Sequence, residues 1–363
     1  MPVSKPNTAS STMLPVELVF HPNWWHQNYG ISFHKDYFFD PDTSLKSTHL
    51  MRQVLTERFP DLYTDDGDNG PRPLIGGTLL AAGFIISGIM GCDIRYYESA
   101  SPEVVSAKLT DSQIEKLGKL NIFDTPIMRD FTHLIHQFKR KFGYVEGDIN
   151  WEGIQNVALN LRGQQLFIDY FQNPDLAETL LQAVANGIAQ FLDFMTSETD
   201  TTSVSVNRIV QRIDPRIVLH SHCTLTMISE DHYREFLLKH DQWLAARFQP
   251  YGIHYCGKDL ERMRHVFTEI DGLTFLDVGW GSDVALCRDA FPDKFLSLRL
   301  SPMRMRSETP ETIALDIEGL LDVAGPLHKV GLCCINMDHG TPDENIHRLF
   351  DVAGEFRRSI SVT

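Results

Sequence analysis

Two linked runs, Tyr251-Gly-Ile-His-Tyr-Cys-Gly257 and Phe275-Leu-Asp-Val-Gly-Trp-Gly-Ser-Asp283, decide the reading of the fold. A short helical segment joins them. Residues 253–256 read as a buried strand closed by Gly257. Side chains alternate along a strand, so His254 and Cys256 point to one face. An imidazole and a thiol placed this way can both reach one borderline metal ion such as zinc. Core packing produces the same pattern, because buried cysteine often only fills space. Two ligands do not make a site, so the neighbouring segments decide.

Outward from that stretch the C-terminal half is regular. Apolar runs of strand length precede helical segments five times: 216–223 before a helix from Ser229, 252–257 before 259–268, 274–279 before 284–291, 295–300 before 309–324, and 330–338 before 341–356. Thr309-Pro-Glu311 and Thr341-Pro-Asp-Glu344 mark helix starts, and Gly325-Pro326 marks an end. Repeated strand–helix units with nearly continuous apolar strands give a parallel sheet covered by helices. No GxGxxG or GxxxxGK[ST] follows a strand, so a nucleotide-binding sheet has no support. The expected fold class is α/β, a single (β/α)8 TIM barrel with an N-terminal extension, spanning residues 14–363 behind a disordered tail at 1–13.

The N-terminal half is less regular. Residues 16–20 read as a strand, and His21-Pro-Asn-Trp-Trp-His26 as a hydrophobic cover. Ser101-Pro102-Glu103 predicts a helix over 101–118, and apolar periodicity predicts helices over 127–142 and 174–195. Residues 74–92 are apolar enough to span a membrane, yet they hold five glycines between Arg72 and Asp93. The expectation is a buried, tightly packed helix.

A net charge of -15 over 363 residues argues against nucleic acid and anionic membrane surfaces, which attract basic patches. The six cysteines form no small-domain disulfide framework, and no basic, apolar leader opens the sequence, so reduced thiols in a cytoplasm are expected.

Barrel active sites lie at the C-terminal ends of the strands. Those ends carry His220-Ser-His-Cys223, His254-Tyr-Cys-Gly257, Asp277-Val-Gly-Trp-Gly281, Arg299-Leu-Ser-Pro302 and Asn336-Met-Asp-His-Gly340. Such groups at five successive ends favour a metal or polar-substrate site over packing. His254 and Cys256 lead the ligand candidates, with His339 next and Cys334 beside Cys333 further down its strand. Asp277 is a fourth ligand or orients His254. Whether His222 or Cys223 faces the pocket is open; both, with Asp277, are catalytic candidates. Asp148 and Asn150 in the preceding turn, Trp280 and Asn336 are candidates for ligand contact.

The sequence also resembles the uroporphyrinogen decarboxylase superfamily, and in particular its corrinoid-linked methyltransferase branch. The resemblance rests on Cys223-Thr-Leu-Thr-Met-Ile-Ser-Glu-Asp-His-Tyr-Arg-Glu-Phe236, Ile253-His-Tyr-Cys-Gly257, Leu300-Ser-Pro302 and His339-Gly-Thr-Pro-Asp-Glu-Asn345. Pro73-Leu-Ile-Gly-Gly77, Gly91-Cys-Asp93 and Leu161-Arg-Gly163 extend it. It implies a TIM barrel in which a His-x-Cys pair and a later Cys hold zinc, which activates a thiol. A methyl group then passes between that thiol and cobalamin on a separate corrinoid protein. His254 and Cys256 match the pair, while the place of the later thiolate holds His339, with Cys333 and Cys334 nearest. The partners implied are a corrinoid protein and a small methyl donor or acceptor, with a second copy of the chain as a further candidate. A decarboxylase of the same superfamily is the alternative, although that branch's N-terminal arginine-rich signature has no counterpart here. A non-catalytic corrinoid-protein partner is the third reading.

Overall fold

Six apolar runs lie side by side in one parallel sheet. The computed structural model describes residues 13–60, 70–75, 78–147, 149, 152–199 and 217–360. In chain order the strands are β1 (Val16–Phe20), β2 (Asp93–Arg95), β3 (Glu103–Val105), β4 (Val218–Ser221), β5 (Tyr251–Tyr255), β6 (Leu273–Val278), β7 (Phe295–Leu300) and β8 (Val330–Met337). The large sheet runs β1-β8-β7-β6-β5-β4, and β2 and β3 form a separate antiparallel pair. Each strand from β4 to β7 is followed by helix before the next strand, the connection that parallel neighbours require.

Register sets what shares a face. Ser221 pairs with His254, His254 with Asp277, and Asp277 with Ser297, so these four form one lateral row. Arg299 pairs with Cys333, and Cys333 with Glu17, on the same face. Beneath the row, Ile217, Leu219 and Phe275 make a small apolar floor with Phe295. Phe275 and Phe295 stack with centroids 5.4 Å apart. The opposite face packs on the helices and forms the main core.

Closure into eight strands is not present among the described residues. The sheet ends at β1 and β4, and the long stretch between them contributes helices, the β2–β3 pair and one isolated parallel bridge, Leu74 with Glu146. Ala81 packs against Val19, Cys333 and Ile335, which puts the segment after that bridge over the interior face. The segment expected to be one buried helix is largely irregular. Among its described residues only Ile85–Ile89 is helical, and Gly91 takes a φ of +111°, which fits the low helix propensity of glycine. Among the described residues no helix is long and apolar enough to cross a membrane.

The helix expected from Ser101 starts later. Val104 and Val105 belong to β3, and a capping box of Thr110 with Gln113 opens the helix Asp111–Leu117. The helices Pro126–Phe142 and Pro174–Thr199 match the periodicity, with Gly143 ending the first in the left-handed region. Trp24 and Trp25 are buried on the helix Pro22–Tyr29, as a hydrophobic cover requires. The tail expected over residues 1–13 lies, but for Met13, outside the described residues.

Candidate metal centre

The turn after β4 brings a third ligand to the His-x-Cys pair. One atom each from Cys223, His254 and Cys256 lies within 4.8 Å of the others. Cys223 opens a 3-10 turn, Cys223–Met227, directly beyond β4. The ladder ends there: the His222 N–H donates to the His254 carbonyl at 2.8 Å, the bond that completes the Ser221–His254 pair. Cys223 and Cys256 each lie two residues beyond that pair, and their sulfurs come together.

Asp277 aims the imidazole. Its Oδ2 lies 2.5 Å from His254 Nδ1, and Arg299 donates to the same oxygen at 3.1 Å. Nε2 is left as the ring atom for the sulfur side, the arrangement in which a carboxylate fixes the tautomer of a ligating histidine. Burial opposes the charge on Asp277, but Arg299 and His254 hold its carboxyl below the usual range. Burial also disfavours the imidazolium, yet Cys223 and then Asp277 outweigh it and raise His254 to about 9. A hydrogen bond from Cys256, followed by the charge of His254, holds the Cys223 thiol well below its ordinary value. Donating that bond, together with burial, pushes the Cys256 thiol up.

The helix Ile154–Arg162 fixes the turn that bears Cys223. Asn156 Oδ1 accepts from Thr224 N at 3.0 Å and from Thr224 Oγ1 at 2.6 Å, while its Nδ2 donates to the Ser221 carbonyl at 3.3 Å. Gln155 donates to the Thr224 carbonyl at 3.0 Å. Gly153 is needed for the approach, because a Cβ there would lie 1.8 Å from the Ser221 carbonyl oxygen. Just ahead of the helix, the buried Glu152 carboxylate accepts from Ser87 Oγ at 2.7 Å, Ser87 N at 3.1 Å and Asn160 Nδ2 at 2.8 Å. Sequence reading missed Gln155, Asn156 and Glu152; the available signal was polar residues at the head of an otherwise apolar helical run.

The other predicted residues lie elsewhere. His222 is buried on the helix side of the sheet, with Nε2 2.7 Å from Asp241. Cys334 is in register with Leu18 and Leu300 and packs in the main core, where burial pushes its thiol up to about 12. It therefore does not join the centre. Cys333 faces Asp277 and Ser297, and burial pushes its thiol well up. His339 is exposed beyond β8 and outside the ligand group. Asn336 is the extra residue of a bulge: Val19 pairs with Ile335 and Phe20 with Met337, and Asn336 takes a φ of +66° with its side chain exposed. Trp280 lies under Arg304, 5.8 Å from ring centroid to guanidinium, beside Leu300 and Ile317. Asp148 and Asn150 are outside the described residues.

Two thiols and an imidazole are a donor set suited to zinc. The same sheet carries a second group, His220, His222 and Asp241, whose atoms also converge. Its carboxylate and one imidazole nitrogen are already committed, while His222 Nδ1 is buried without a hydrogen-bond partner. Asp241 accepts from His222, from the Tyr233 hydroxyl and from the Tyr251 hydroxyl at 2.8 Å, and His220 Nε2 accepts from Ile154 N at 3.2 Å.

Solved structures share this fold along nearly the whole chain. A methyltransferase from Methanosarcina mazei is 16% identical, with a TM-score of 0.67, covering 95% of this chain and 94% of that one. A B12-independent methionine synthase from Shewanella sp. W3-18-1, in complex with selenomethionine, is 12% identical with a TM-score of 0.53, covering 97% and 99%. No protein-family model matches the sequence, and no curated protein matches it. At these identities the likeness is one of fold.

Proposed function

We propose that this chain is a methyltransferase in which zinc, held by Cys223, His254 and Cys256, activates a small thiol. The methyl group passes between that thiol and cobalamin carried by a separate corrinoid protein. The observation that carries the reading is the convergence of two sulfurs and an oriented imidazole at the C-terminal end of a parallel sheet. Two proteins of the same fold, a methyltransferase and a methionine synthase, agree with methyl transfer.

Bound there, zinc supplies a Lewis acid that keeps a coordinated thiol deprotonated near neutral pH. The chain's own groups prepare the place. Asp277 and Arg299 hold His254 in one orientation, and Asn156 with Gln155 holds the Cys223 turn. Cys256 is exposed, so the centre has an open side from which a thiol and a methyl donor can approach. In the transfer, the thiol loses its proton and its sulfur forms a new S–C bond. The bond from carbon to the donor breaks, and its electron pair leaves with the donor.

The test is zinc content together with demethylation of methylcobalamin by a small thiol, followed by the cobalamin absorbance. The wild-type protein binds zinc and demethylates methylcobalamin, and Cys223→Ser and Cys256→Ser lose both. A metal-independent decarboxylase keeps its turnover after exhaustive chelation. A non-catalytic partner binds a corrinoid protein and turns over nothing. Unchanged zinc content in both serine variants contradicts the proposal.

A further inference from the structure

Cys223 and Cys256 stand apart from the chain's other thiols. Cys92, Cys287, Cys333 and Cys334 are buried, whereas Cys256 is exposed and Cys223 partly so. The two sulfurs are within 4.8 Å of each other and share a hydrogen bond. Their backbones follow neighbouring parallel strand ends, each two residues beyond the Ser221–His254 pair. Adjacent strands lie about 4.8 Å apart, inside the roughly 4.4–6.8 Å of Cα separation that a disulfide spans. Both side chains face the same side of the sheet, so the bond needs rotation about side-chain torsions and little backbone movement.

We propose that Cys223 and Cys256 form a peroxide-responsive pair, whose oxidation to a disulfide removes two of the three ligands and disables the centre. The consequence for metal rests on the zinc reading above; the disulfide itself does not. The chemistry balances with hydrogen peroxide as oxidant. The Cys223 sulfur, which accepts the hydrogen bond from Cys256, attacks the O–O bond as the thiolate and becomes S–OH, and the proton it gave up joins the displaced hydroxide as water. The Cys256 sulfur then attacks that sulfur and forms the S–S bond. The hydroxide expelled takes the Cys256 proton as a second water. Two electrons pass from the pair to the peroxide, and a dithiol reductant reverses the change. Coordination shields both sulfurs, so the metal-free protein reacts faster.

The experiment treats zinc-loaded and chelator-stripped full-length protein with limiting hydrogen peroxide, then alkylates it under denaturing conditions. Peptide mapping by mass spectrometry locates the modified sulfurs, and a chromogenic chelator measures released zinc. The expected result is a cross-linked peptide containing Cys223 and Cys256, lighter than the two free peptides by the mass of two hydrogens. Zinc appears in proportion to the cross-link, and dithiothreitol restores free thiols and zinc binding. In Cys256→Ser, Cys223 proceeds instead to sulfinic acid. The proposal is overturned if either wild-type sulfur reaches sulfinic acid while the other stays alkylatable, or if either sulfur pairs with a different cysteine. Should the chain bind no zinc, the metal reading falls, while the map of the stripped protein still decides the disulfide. Should zinc bind and no cross-link form, only the present inference falls.

Discussion

Strand β4 and the turn after it feed two groups of titratable side chains, one on each face of the sheet. Ser221 and Cys223 face the row that contains His254, while His220 and His222 face the helices. By proximity alone the two groups look alike, because each brings three ligand-type atoms together. Burial and the commitments of the carboxylate separate them. Behind the sheet, every side chain of the group is buried and Asp241 is surrounded by donors. At the open end, the sulfurs meet one another, His254 and the Ser221 hydroxyl, 3.4 Å from Cys223. One group is a buried network centred on Asp241 that fastens the helix Leu238–Arg247 to the sheet. The other opens outward through the exposed Cys256. Ligand-type atoms therefore mark a site when something from outside can reach them, and proximity alone does not show that.

The largest effect that separates the groups is on metal. Cys256→Ser lowers zinc affinity by about a hundredfold or more, beyond what losing an outer partner costs, and leaves the denaturant midpoint of the metal-free protein nearly unchanged. Competition with a chromogenic chelator and urea titration check the two halves. An unfolded serine variant, or one with unchanged affinity, breaks the contrast.

The opposite pattern holds behind the sheet. Asp241→Asn puts an amide donor where hydroxyl and imidazole donors already converge, and costs about 2–4 kcal/mol of stability. Zinc affinity of the folded fraction stays at the wild-type value. A variant that keeps its stability but loses zinc makes the rear group the metal site.

A third effect is read against pH. Burial pushes the Glu152 carboxyl up to about 7 from an ordinary value of 4.5. The folded state therefore binds this proton more tightly than the unfolded state. That stabilisation is complete below about 4.5 and is lost as pH rises through about 7. Glu152→Gln cannot ionise, so relative to wild type it gains roughly 1–3 kcal/mol over that interval and levels off above it. Urea midpoints of both proteins at several pH values check this, and a difference independent of pH contradicts it.

The smallest effect sharpens the front group. Asp277→Asn keeps an oxygen near His254 but removes the charge, and lowers zinc affinity about 10–100-fold. It also leaves Arg299 without its carboxylate, so the affinity is measured on protein shown folded by circular dichroism. An unchanged affinity means that Asp277 does not orient a ligand.

Much of the fold was legible because the five C-terminal strands are apolar runs closed by turns. Each falls within a few residues of its expected place, and alternation puts His254 and Cys256 on one face. The third ligand was not legible. Whether His222 or Cys223 faces inward depends on how far the alternation persists past the last paired residue. Here it persists through His222, at φ -116° and ψ 47°, into the 3-10 turn. Favouring His339 and Cys334 assumed that β8 brings its ligand to the level of Cys256. Instead a bulge at Asn336 interrupts the strand, and Cys334 points into the core. The Asn156 clamp joins residues 68 apart in sequence, beyond any local periodicity. Among the described residues six strands of the expected eight join the sheet, because the N-terminal half offers few of the apolar strand runs that carry the C-terminal half.

The central claim is that Cys223, His254 and Cys256 share one metal ion, and X-ray absorption at the zinc edge tests it most directly. Wild-type protein loaded with zinc shows two sulfur neighbours and imidazole scattering, and Cys223→Ser shows one sulfur fewer. A spectrum with only nitrogen and oxygen neighbours, or one that Cys223→Ser leaves unchanged, contradicts the account.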